Sequence, residues 1–66
     1  MNKYIVQNDT DGIPASEFPF DTKEEATDFI ERFRKRFKQM QGYYLTSRQE
    51  RIHPDEIILT IEKIDA

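Results

Sequence analysis

One stretch, Thr22 to Gln41, constrains this chain more than any other. Ala26, Phe29, Ile30, Phe33, Phe37 and Met40 recur at spacings of three and four. On a helix they fall on one arc about 100° wide, a core-facing stripe. Thr22 followed by Glu25 has the capping-box spacing, in which the hydroxyl accepts from the Glu25 backbone N–H and the carboxylate reaches back. Asp21 with Glu24 offers the same pattern one residue earlier. Gly42 suits the left-handed position that ends a helix. Acids crowd the first turns and bases the last, the order that matches the helix dipole. Asp28–Arg32 and Glu31–Lys35 add pairs at i,i+4. Phe33 lies mid-stripe, so Phe33→Ala is the substitution expected to lower the melting temperature.

The remaining segments are short and extended. Lys3 to Gln7 is β-branched and aromatic and reads as a first strand. Asp11-Gly12 is a turn dipeptide. Ile13 to Phe20 contains Pro19 between Phe18 and Phe20, which suits an edge strand or an extended lead into the helix. Phe18 and Phe20 are expected to cover one end of the core. Beyond the helix, Tyr43 to Thr46 reads as a strand, Ser47 to Glu50 as a turn and Arg51 to His53 as a brief return. Pro54 to Glu56 is a further turn, and Ile57 to Ile64 the longest strand.

Short connections favour an α+β fold. The expected form is a small antiparallel sheet of three to four strands in β(β)αββ order, with the one amphipathic helix packed on one face, and residues 1–66 as a single domain. Alternation puts Ile57, Leu59 and Ile61 under the helix. Ile58 and Ile64 then lie on the open face of the sheet, with Tyr4 or Tyr44 beside them. Those four residues are the candidate protein-binding face, because an open face with aliphatic and aromatic residues can receive a partner.

Sixty-six residues bury a limited core, and there is no cysteine to staple it. Chains this short usually need help from self-association or a partner, so a protein partner or a homodimer is expected. Met1-Asn2-Lys3 leads straight into a strand-like run without a signal-peptide pattern. No segment has the length of a membrane span. The expected location is cytoplasmic.

The net charge of −3 conceals a division. Residues 1–31 carry Lys3 and Lys23 against eight acids. Residues 32–51 carry seven Arg and Lys against Glu50. Residues 52–66 are acidic again. Such separation favours oriented docking through complementary fields, although helix-dipole matching explains part of it.

The basic segment supports an alternative, nucleic-acid binding, through Arg32, Arg36, Arg48 and Arg51 with Tyr43 or Tyr44 as stacking platforms. Helix geometry counts against it. Arg32 and Arg36 lie on one flank of the stripe, Arg34 and Lys38 on the other, and Lys35 opposite the core.

Chemistry-bearing motifs are incomplete. A calcium loop aligned on Gly12 would begin at Gln7 and end at Phe18, where carboxylates are required. His53, Asp55 and Glu56 form a third, weaker metal-dependent reading, but one histidine is too few for a common zinc site. Ser16 and Ser47 have no neighbouring base beyond the lone His53, and no phosphate-cradling glycine loop exists. The sequence therefore predicts a non-catalytic interaction module, an adaptor or inhibitor, with no cofactor.

Overall fold

The computed structural model describes residues 2–65. The chain is α+β. Strand β1 spans Asn2–Asn8, β2 spans Ile13–Pro14 and helix α1 spans Lys23–Met40. A two-stranded hairpin follows, β3 at Tyr44–Leu45 and β4 at Arg51–Ile52, then a 3-10 turn at Pro54–Glu56 and strand β5 at Leu59–Asp65. The main sheet is antiparallel with order β2-β1-β5, and the hairpin forms a separate two-stranded sheet. The expected order therefore holds. The strands after the helix divide between two sheets because, among the described residues, β3 and β4 pair only with each other.

Helix α1 begins and ends where its local chemistry dictates. The Thr22 hydroxyl accepts from the Glu25 N–H and donates to the Glu25 carboxylate, both at 3.1 Å. At the other end, Gly42 has φ +79°. The Phe37 carbonyl accepts from both the Gln41 and Gly42 N–H groups, at 3.2 and 2.9 Å. The left-handed glycine turns the chain back so that the last carbonyls are met.

Register fixes which residues face the helix. Val6 lies opposite Ile61, Asn8 opposite Leu59 and Tyr4 opposite Lys63. Val6 and Asn8 are buried, and α1 packs across β1 and β5. Leu59 and Ile61 therefore point toward the helix, as alternation requires. The opposite face carries Lys3, Ile5, Gln7, Thr60, Glu62 and Ile64. The Gln7 amide donates to the Glu62 carboxylate at 3.0 Å there.

Among the described residues the buried apolar set is small: Val6, Ala26, Tyr44, Pro54 and Ile57. Around it runs a row of half-buried rings. Phe20, Phe29, Phe33 and Phe37 follow one another at centroid spacings of 5.4, 6.0 and 5.1 Å, and Tyr44 meets Phe37 edge-on at 5.0 Å. Met40, although on the stripe, is 68 % exposed because the chain turns away at Gly42.

The segment 13–20 lies along β1 at both ends. Ala15 N–H donates to the Val6 carbonyl at 2.8 Å, and Tyr4 and Phe20 exchange backbone hydrogen bonds at 2.9 and 2.7 Å. Phe18 projects between these anchors and is 75 % exposed. This corrects the expectation that it covers the core. Phe20 does pack on Phe29.

Candidate functional site

The two flanks of α1 are put to different uses. On one, the Arg34 guanidinium donates to the Pro54 carbonyl at 2.7 Å, and Lys38 pairs with Asp55 at 2.8 Å. Lys38 holds the Asp55 carboxyl below its usual range, chiefly by its hydrogen bond. These two cations bind the 3-10 turn to the helix.

The other flank borders a groove of about 420 Å³. Phe29 and Phe33 form its apolar floor, Arg32 and Arg36 one side, and Ala15, Ser16 and Glu17 the facing wall. That wall is anchored from below: the Ser16 hydroxyl accepts from the Val6 N–H at 3.2 Å, and Ser16 is itself buried. Arg32 pairs with Asp28 at 3.3 Å across exposed side chains. Arg36 makes no ion pair among the described residues. Exposed Phe18 is the next residue beyond Glu17.

The candidate sheet-face site is not assembled. Tyr4 alternates with Val6 and lies on the helix side of β1. Tyr44 is 8 % exposed, with its ring against Phe33 and Phe37. Both placements correct the expectation that a tyrosine joins the open face. Ile64 is on the open face as expected and is half-buried. Ile58 precedes β5 and is 58 % exposed.

The basic candidates separate likewise. Arg32 and Arg36 share the groove. Arg48 and Arg51 lie in and after the hairpin turn and do not line it. The Arg51 guanidinium stacks on the Tyr43 ring, 4.8 Å from its centroid.

One structural contact was not legible in the sequence. Asp11, read in the sequence as part of a solvated turn, receives the Tyr44 hydroxyl and the Ser47 N–H, the latter at 2.8 Å. These bonds hold its carboxyl below the ordinary range, the Ser47 bond contributing most. Asn8 completes the cluster, donating to the Tyr44 oxygen at 3.0 Å and accepting from the Asp11 N–H at 3.2 Å. The turn thus clamps the hairpin to β1.

His53 accepts at Nδ1 from the Asp55 N–H at 3.1 Å and caps the 3-10 turn. Among the described residues no group of three or more His, Asp or Glu side chains is placed to hold a metal ion. Among them, too, no helix is long and apolar enough to cross a membrane. No family model, curated protein or solved structure matches this chain.

Proposed function

We propose that this chain is a non-catalytic interaction module, an adaptor or inhibitor, that receives an acidic segment of another protein in the groove beside α1. The observation that carries the reading is the pairing of half-buried Phe29 and Phe33 with Arg32 and Arg36 along one open groove. An apolar side chain of the partner covers the two rings. Carboxylates beside it meet the guanidiniums, whose fork geometry suits bidentate recognition. Arginine and aromatic residues are the types that dominate binding energy at such surfaces. The cysteine-free sequence is compatible with a cytoplasmic setting.

Selection from a displayed random-peptide library tests this. Enriched peptides are expected to carry Asp or Glu around an apolar residue and to bind less tightly as salt rises. Arg36→Glu, at an exposed position of the groove, is expected to lose this binding with the melting temperature unchanged. Absence of enrichment would overturn the proposal. So would binding of mixed-sequence single-stranded RNA that Arg36→Glu abolishes, which would assign the same arginines to phosphates.

A further inference from the structure

Strand β5 is an uncovered sheet edge, and we infer that a second copy of this chain pairs with it, antiparallel and centred on Ile61. Backbone direction in β1 establishes the edge. Tyr4, Val6 and Asn8 spend their backbone groups on Phe20, Ala15 and Gly12. Their partners across β5 are Lys63, Ile61 and Leu59. Within an antiparallel ladder these are the non-hydrogen-bonded pairs. The N–H and C=O groups of Leu59, Ile61 and Lys63 therefore point away from β1. Among the described residues β5 has no strand on that side. Such an edge is a template for another strand.

The side chains favour a copy of the same strand in one register. Centred on Ile61, Thr60 faces Glu62 of the second copy, Leu59 faces Lys63, and exposed Ile58 comes beside Ile64. No like charges meet. Centred on Glu62 the two glutamates would be opposed, and centred on Lys63 the two lysines, each unfavourable. Centred on Thr60, Ile58 would face a glutamate.

The flank of α1 on the β5 side is the one that holds the 3-10 turn through Arg34 and Lys38. Helix α1 packs across β1 and β5, so joining the β5 edges sets the two helices roughly two strand spacings apart, about 10 Å. That is a helix-packing distance. The β2 edge and the arginine groove lie on the far side of the sheet order, so the pairing leaves both accessible.

Light scattering on a sizing column at millimolar protein, together with cysteine cross-linking, tests the inference. The wild-type mass is expected to double. Lys63→Pro removes an outward N–H without touching the β1 ladder and is expected to return the monomer mass. Thr60→Cys with Glu62→Cys places thiols on a non-hydrogen-bonded pair, with Cα atoms roughly 4.5 Å apart across the interface, within disulfide reach. This double variant is expected to form a covalent dimer on mild oxidation, and Glu62→Cys alone is not. A monomeric wild type, a dimer that survives Lys63→Pro, or a dimeric double variant that does not cross-link would each overturn the pairing. Equal cross-linking by Glu62→Cys alone would overturn the register. If Lys63→Pro does not fold, the two cysteine variants decide.

Discussion

The Tyr44 hydroxyl donates to the carboxylate of Asp11, thirty-three residues away in the chain. This contact joins the turn after β1 to the hairpin after α1. It closes around the otherwise bare end of the aromatic row.

Acid should loosen that junction. The Asp11 carboxyl lies below its ordinary value of 3.8 because Ser47 and then Tyr44 donate to it. Its contribution is therefore complete above 3.8 and is lost as pH falls through the folded-state value. Asp11→Asn is expected to be less stable than wild type at neutral pH and to lose less stability on acidification. Urea midpoints at neutral and acid pH measure both effects. The Lys38-bound Asp55 keeps some acid sensitivity in the variant.

Tyr44→Phe keeps the ring contacts but removes the oxygen that serves both Asn8 and Asp11. Asn8 is 2 % exposed, so its amide would lose a buried partner, at a cost of about 1–3 kcal/mol. The loss should appear as a lower urea midpoint with an unchanged slope. In the wild type, burial first and Asp11 second push the Tyr44 phenol above its ordinary 10.0. Its contribution is present below 10.0 and disappears as pH rises through the folded value. The variant should lose this alkaline dependence.

Ile57 and Met40 should behave oppositely on truncation. Ile57 is 2 % exposed, wedged between the 3-10 turn and the sheet, whereas Met40 is largely in solvent. Ile57→Ala is expected to cost about 2–5 kcal/mol, and Met40→Ala to stay within about 0.5 kcal/mol of wild type. Thermal melts of the two variants check the difference.

Thr22→Ala removes the hydroxyl that both accepts from the Glu25 N–H and donates to its carboxylate. The expected cost is about 0.5–2 kcal/mol. Amide exchange should quicken in the first turn of α1 before any change at Phe37.

Helix α1 was readable from local chemistry alone. Its stripe, its Thr22 cap and its Gly42 stop act within a few residues, and the structure places all three as the sequence implies, save that Met40 at the end of the stripe is exposed. The division of its cations into two flanks was also readable, because 100° per residue is a property of any helix. The use of each flank was not. Arg34 and Lys38 acquire their roles from Pro54 and Asp55, and Arg32 and Arg36 from a wall built of residues 15–17. Those partners are distant in sequence.

The alternation of β5 was legible, and so were Leu59 and Ile61 beneath the helix. Tyr44 was not. Alternation within a two-residue strand says nothing about which sheet receives it, and an aromatic residue suits either face. The hydrogen bonds to Asn8 and Asp11 satisfy its hydroxyl where the ring is buried. Short-range periodicity thus determined the elements. Pairing between distant segments decided which side chains they share, because register and loop closure depend on contacts that no local window contains.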